Sequence, residues 1–398
     1  MSQGVFRYPN VGAMWSGPGS MSRLGEVLDV SGARRALLIL TPSAGRDAAL
    51  VSRLAEWSGQ RIVAIFDAVE PHTPYGVALA AAQVAREAYA DCVVSLGGGS
   101  TIDTARLVSL CVGENISTED ALYEYRAQRS ERGPIFPAAA AHTIPHIAIP
   151  TTLSSAEFGD GGALKNPTTG NKDLFAGPPM AAAAVILDSD AAVATPAAAW
   201  VMTGMRTLDH AIETVVSDQS SLFSDSLSCA AITTLVRVLP ATLMNPTDSA
   251  LRGDAQLASW QSYFGVSNGT LGLSHAIGHQ LGARLGLAHG LSSCVTLPTV
   301  ARFLAPRTGE KIRPILRACG IDDSEISTEN LGIALAEFLT TFISGLGFPL
   351  TLGEAGIVMG KSDVAAIVDG IFEDFLVDGI PGGIPSRTEM TNLVASLA

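Results

Sequence analysis

The densest chemistry in the chain is a group of four histidines between residues 209 and 290. His275 and His279 are four apart, so on a helix they share a face. His289 follows just before a glycine, and His210 lies upstream. A lone helical histidine is usually only packed or solvated. An i, i+4 pair with two companions points instead to a metal centre or to acid–base work. The other three, His72, His142 and His146, stand at presumed loops and strand ends and receive no role.

A second group is Gly97, Gly98, Gly99 and Ser100, with Asp103 in the turn that follows. Glycines let a backbone approach a ligand, and the N–H groups opening a helix favour a phosphate. The loop is not GxGxxG, the usual dinucleotide fingerprint, and alone it serves equally as a tight turn with Ser100 as N-cap. Thr151 and Thr152 close the next apolar run. That places them at the carboxyl edge of the sheet, where open α/β sheets bind ligands. Two such strand ends indicate a nucleotide site.

The elements that position these groups follow from hydrophobic periodicity. Apolar runs at 35–40, 61–66, 92–96 and 146–150 alternate with helical spacing at 46–57, 74–90 and from 101. Short all-apolar runs separated by helices are the pattern of a parallel sheet covered on both faces. Beyond about 195 the periods are helical, at 198–217, 222–239, 251–267 and 333–344. The expected fold is an α/β doubly wound nucleotide-binding domain (1–190) followed by an all-α domain (191–398) that carries the histidines. At about 150 residues per domain, 398 residues allow two or three.

Composition narrows the partners. Lys plus Arg is 25 and Asp plus Glu is 38, so the net charge is 25 − 38 = −13. That disfavours duplex nucleic acid and anionic membranes, which need cationic surface. It does not bear on a small anionic substrate, because net charge describes the surface rather than a pocket. The N-terminus lacks an apolar core, and the most apolar stretch, 181–187, is too short to span a bilayer. Five cysteines without CxxC spacing read as buried thiols. The expectation is a cytoplasmic chain with a small-molecule substrate and neither nucleic acid nor membrane as partner.

GGGSTIDTAR (97–106), IPTTL (149–153), GMRTLDHAIE (204–213) and SHAIGHQLGARLGLAHG (274–290) resemble, in order, the motifs of the iron-containing alcohol dehydrogenase family. GARRALLILTP (32–42) is most similar to its maleylacetate reductase branch. The resemblance implies a dehydroquinate synthase-like fold, a cleft between two domains, a homodimer, and hydride transfer between NAD(P)H and a carbonyl or alcohol. Carried over to this chain, the cofactor would meet Thr41, Ser43, the Gly97–Ser100 loop, Asp103, Thr151 and Thr152.

One departure governs the chemistry. Metal-binding members place Asp four residues before the first His, with two more His at the positions of His275 and His289. Here the Asp position is Arg206. Arg206 and His210 are i, i+4, so the guanidinium points where the metal would sit. Asp209 is about 100° round the helix from His210 and does not simply substitute. A fixed cation beside a dication is unfavourable in a low-dielectric pocket. The expectation is no metal, as in the maleylacetate reductase branch, with Arg206 as electrophile and His279 or His275 as proton donor. Glu213 would orient His210. The bland account of Arg206 is an i, i+3 partner of Asp209 on an exposed face. Thr41-Pro42-Ser43 carries no carboxylate to exclude a 2′-phosphate, and Arg46 could meet one, so both NADPH and NADH stay open. The alternatives are a Zn or Fe alcohol dehydrogenase using His210, His275 and His289, and a dehydroquinate synthase-like lyase.

Overall fold

The computed structural model describes residues 10–71, 73–130, 133–170, 172–268 and 271–398; His72 lies outside them. The described chain divides into two compact units, one ending at Thr195 and the other running from Pro196 to Ala398.

The first unit is built on a six-stranded sheet of β1 (Ala13–Ser16), β2 (Ala36–Leu40), β3 (Ile62–Phe66), β4 (Cys92–Gly97), β5 (His146–Pro150) and β6 (Ala184–Leu187). Every pairing is parallel, in the order β1-β6-β5-β4-β2-β3. Four strands are the expected apolar runs. β6 is the 181–187 stretch, and β1 has no apolar run because it is a four-residue edge strand. Alternate residues of each central strand feed opposite layers. Leu37, Ile39 and Val93 pack with Ala78, Ala82, Leu107 and Val108, whereas Leu38, Leu40, Val94 and Ile149 pack with Leu24, Val27 and Leu54. That two-sided burial is why these strands read as continuous hydrophobic runs. The helix Leu24–Val30 covers one face together with α1 (Ala48–Trp57), and α2 (Tyr75–Glu87) and α3 (Gly99–Gly113) cover the other. α1 starts later than 46 because Asp47 Oδ1 accepts from Leu50 N–H as its cap, and Pro42–Gly45 forms a separate turn capped by Thr41.

The second unit is helical: α4 (Ala197–Val216), α5 (Leu222–Met244), α6 (Ser249–Asn268), α7 (Leu273–Leu285), α8 (His289–Thr308), α9 (Leu331–Gly345) and α10 (Lys361–Glu373). Sequence periodicity places 222–239 as a helix, but α5 continues through Pro240 to Met244. By length and composition α5 is the one described helix apolar enough to cross a membrane, with mean hydropathy 1.6. Here it packs against α4 and α6, with 39% of that apolar window buried. Leu273, Ile277 and Leu281 of α7 interlock with Val295 of α8 and Ile367 and Ile371 of α10. All five cysteines are free, and burial pushes the Cys92, Cys111 and Cys294 thiols up to about 12.

Candidate active site

Because the sheet is parallel, the carboxyl ends of β2, β4, β5 and β6 share one edge, and there they line a cavity of about 590 Å3. Thr41, Ser43, Gly97 and Thr151, four of the residues named as cofactor contacts, are at its wall. Gly98, Gly99, Ser100, Asp103 and Thr152 are not among its lining residues. Gly98, rather than Ser100, is the N-cap of α3. A methyl group on it would meet Thr152 Cγ2 at 3.1 Å, and one on Gly99 would meet Ser154 Oγ at 3.2 Å. The glycines are therefore there so that α3 can sit close to the β5 loop. Asp103 turns away to Arg106, 3.4 Å distant, and burial raises its pKa.

Sequence reasoning gave no role to four charged groups at this cavity, Asp47, Arg53, Asp188 and Asp190. Asp188, just past β6, accepts backbone N–H bonds from Gly19, Met21, Asp190 and Ala191 at 2.7–3.2 Å, fixing the loop after β1 to the sheet edge. Its only sequence signal was a carboxylate ending an apolar run. Asp47 lines the cavity while capping α1, and Arg53, one turn and a half further along, lines it as well, whereas Arg46 does not.

The second site lies inside the helical unit. α4 presents Arg206, Asp209, His210 and Glu213, all buried, so the exposed-face account of Arg206 is corrected. Residues three and four apart share that face, and α7 and α8 close over it. Glu213 does not orient His210. Its Oε2 accepts from His275 Nδ1 at 2.7 Å and from Gly272 N–H at 2.8 Å, and its Oε1 accepts from Ser274 N–H at 2.7 Å. Glu213 thus ties α4 to the unpaired N–H groups that open α7, the position a carboxylate favours. Gly272 allows the approach, since a Cβ there would stand 3.0 Å from Glu213 Oε1.

Asp209 also belongs to the cluster, despite its angular offset from His210. Its Oδ2 accepts from Ser293 Oγ at 2.7 Å and Ser274 Oγ at 2.9 Å, and lies 4.0 Å from Arg206 Nη1. Burial, then the Glu213 charge, pushes the Asp209 carboxyl up to about 8 against the pull of Arg206 and the two hydroxyls. Arg206 is 9% exposed and its Nη1 makes no hydrogen bond. A Cβ on Gly278 would meet Ser292 Oγ at 3.0 Å and stand at ordinary contact distance, 3.4 Å, from Arg206 Nη1. Burial lowers the Arg206 pKa, while Asp209, Glu213 and Asp374 raise it.

The imidazoles divide into two kinds. His210 and His275 stack with ring centres 4.8 Å apart. Burial first, then neighbouring charge, drives both well below the usual histidine range, so both are neutral. His275 commits its Nδ1 proton to Glu213, which leaves Nε2 an acceptor. His279, one turn along α7, is half-exposed, and its Nδ1 is 2.8 Å from Asp374 Oδ2. His289, at the first turn of α8, sets its ring edge-on to His279. The structure therefore brings Arg206, His210, His275, His279 and His289 into one neighbourhood. Asp374 and the serine clamp on Asp209 had no sequence signal.

Comparison with known proteins shows which family the chain resembles. Residues 12–189 match the family model described as iron-containing alcohol dehydrogenase, and residues 200–397 match its C-terminal model. The dehydrogenase ALT3 of Alternaria alternata is 33% identical over 322 residues, covering 75% of this chain and 82% of that protein. A maleylacetate reductase of Sphingobium indicum is 27% identical, covering 84% of each chain. The solved structure of a 1,3-propanediol oxidoreductase superposes with a TM-score of 0.88 at 25% identity, covering 99% of this chain and 100% of that one.

Proposed function

The chain belongs to the iron-containing alcohol dehydrogenase family, and on that premise we propose that it is an NAD(P)H-dependent reductase of a small carbonyl or enoate, working without a bound metal. The observation that carries the reading is the buried Arg206 Nη1, which makes no hydrogen bond, beside two neutral imidazoles.

The donor set fits a dication poorly. The tightest group of metal-ligating atoms among the described residues is Asp209, Glu213 and His275. Asp209 Oδ2, both Glu213 oxygens and His275 Nδ1 are already held by one another and by Ser274, Ser293 and Gly272, whereas Asp209 Oδ1 and His275 Nε2 make no hydrogen bond. A dication ~5 Å from a guanidinium at an effective dielectric of ~20 costs about 7 kcal/mol of repulsion. Arg206 instead supplies the positive charge itself. When hydride reaches the substrate carbon, negative charge collects on its oxygen, and a fixed donor in a dry pocket stabilises it without reorganising. His210 and His275, being neutral, do not add repulsion. The proton that completes the alcohol then comes from His279, because the His275 proton is held by Glu213.

The cavity at the sheet edge supports a dinucleotide, and its Thr41 and Ser43 wall, with Arg53 nearby, accommodates NADPH as well as NADH. The resemblance to maleylacetate reductases is the support for an enoate and for an anionic substrate, which an arginine suits. Kinship supports a homodimer, five free cysteines support a reducing cytoplasm, and a pI of 4.9 speaks against nucleic acid and anionic membrane as partners.

The test is a turnover assay with NADPH and with NADH against butyraldehyde, succinic semialdehyde and maleylacetate. Cofactor oxidation is expected, faster with the anionic substrates than with butyraldehyde. No oxidation with any pair, and no reduction of NAD+ or NADP+ by butanol, would overturn the proposal.

A further inference from the structure

Arg53 is the only cation among the described residues that line the cavity at the sheet edge. Asp47, Leu50, Arg53 and Trp57 are three or four residues apart along α1 and its cap, so they share a face, and all four reach that wall. The Arg53 guanidinium lies 5.9 Å from the centre of the Trp57 ring, within cation–π range, and makes no ion pair or hydrogen bond among the described residues. The register of the sheet places the parts of a dinucleotide along this wall. Leu40 of β2 is level with Leu96 of β4, so Thr41 stands beside Gly97, where the glycine loop leads into α3. A helix opened by glycines receives the pyrophosphate, and the adenosine ribose falls at the end of a neighbouring strand. A site that selects NAD puts a carboxylate there for the ribose 2′-hydroxyl. Here that strand ends in Thr41 and Ser43, whose hydroxyls lie 3.1 Å apart. Asp47 Oδ1 is held by Leu50 N–H at 3.0 Å, and Asp188 and Asp190 follow β6, which β5 and β4 separate from β2.

We propose that Arg53 is the specificity-determining residue of the cofactor site: with the Thr41 and Ser43 hydroxyls it takes the 2′-phosphate of NADPH, so that the chain prefers NADPH to NADH. This rests on the dinucleotide site proposed above and adds its selectivity. A guanidinium fork pairs with two phosphate oxygens at once, whereas a ribose 2′-hydroxyl offers it one neutral acceptor. Stacking on Trp57 holds the side chain at the wall before the phosphate arrives, which lowers the cost of ordering it. Arg53 is exposed, so salt screens the pair and the preference falls as ionic strength rises.

The experiment titrates the full chain with 2′,5′-ADP and 5′-AMP, which carry no nicotinamide and differ by the 2′-phosphate alone, and then with NADPH and NADH. Fluorescence and thermal shift give the affinities. At low salt the wild type is expected to bind the phosphorylated member of each pair roughly tenfold tighter, with the gap narrowing at high salt. Arg53→Gln keeps a good helix former and most of the stem, and it should close most of that gap. Arg53→Glu should reverse the preference. Equal affinities in the wild type, or an Arg53→Gln that weakens both members of each pair alike, would overturn the inference; the second result would put the guanidinium on the pyrophosphate instead. Selective binding without oxidation of either cofactor would remove the reductase reading and leave this one standing. Oxidation of both cofactors at equal affinity would do the reverse, and a chain that binds none of the four nucleotides removes both.

Discussion

Arg206→Ala is expected to lower kcat by about 10³-fold while leaving the affinity for the dinucleotide unchanged. Removing one fixed donor aimed at a developing oxyanion costs roughly 2.7–4 kcal/mol in well-studied acyl-transfer enzymes. Arg206 is here the only cation among the buried described residues of the cluster, so nothing takes its place. Without Arg206, burial would push the Asp209 and Glu213 carboxyls further towards their neutral form, and the pocket would hold no positive charge to stabilise a negative oxygen. Arg206→Lys separates charge from geometry. Lysine keeps the charge, but its shorter, single-pronged head does not reproduce the guanidinium, and about 10-fold of the loss should return. Steady-state kinetics with NADPH and succinic semialdehyde, alongside cofactor binding by fluorescence, give both numbers. Near wild-type turnover in Arg206→Ala would remove the proposed electrophile.

Glu213→Gln is expected to damage both activity and stability, although it changes no volume. Glu213 accepts three donors, from Gly272 N, Ser274 N and His275 Nδ1. A glutamine has one acceptor oxygen, and its amide would point N–H against N–H. Breaking a buried charged network by removing one partner costs roughly 3–5 kcal/mol. In a helical unit of this size that lowers Tm by about 10 °C. The freed His275 can also take the other tautomer, turning Nε2 into a donor, and misorienting an imidazole through its supporting carboxylate costs typically 10- to 100-fold. Thermal denaturation and kcat measured on the same preparation check the two effects together. A variant with unchanged Tm would mean that Glu213 does not tie α4 to α7.

The sequence made the α/β unit readable because its strands are buried on both faces. Leu37, Leu38, Ile39 and Leu40 all enter a core, so they stand out as a run. β1 was invisible for the opposite reason, being a four-residue edge strand with partly exposed side chains. The glycine loop was legible as a backbone feature, but its detailed purpose was not. Only the fold reveals that Gly98 and Gly99 admit Thr152 and Ser154. In the helical unit, i, i+4 spacing correctly put Arg206 and His210 on one face. The same reasoning set Asp209 aside by 100°, because helical angle says where a side chain starts and not where a short, buried carboxylate is drawn. Serines 274 and 293 draw it inward. Glu213 was assigned to the wrong ring because sequence proximity favoured His210, while the N–H groups that attract a carboxylate are those at the start of α7. Asp374 pairs with His279 across 95 positions of chain, a distance no local pattern spans.

The central claim, that Arg206 stands in for a metal, is tested most directly by chelation of the wild-type protein. The purified chain is dialysed against EDTA, its Zn and Fe content is measured, and NADPH oxidation by succinic semialdehyde is followed before and after. The account predicts far less than one metal ion per chain and an unchanged rate. Activity that disappears on chelation and returns with one equivalent of Zn2+ or Fe2+ would contradict it.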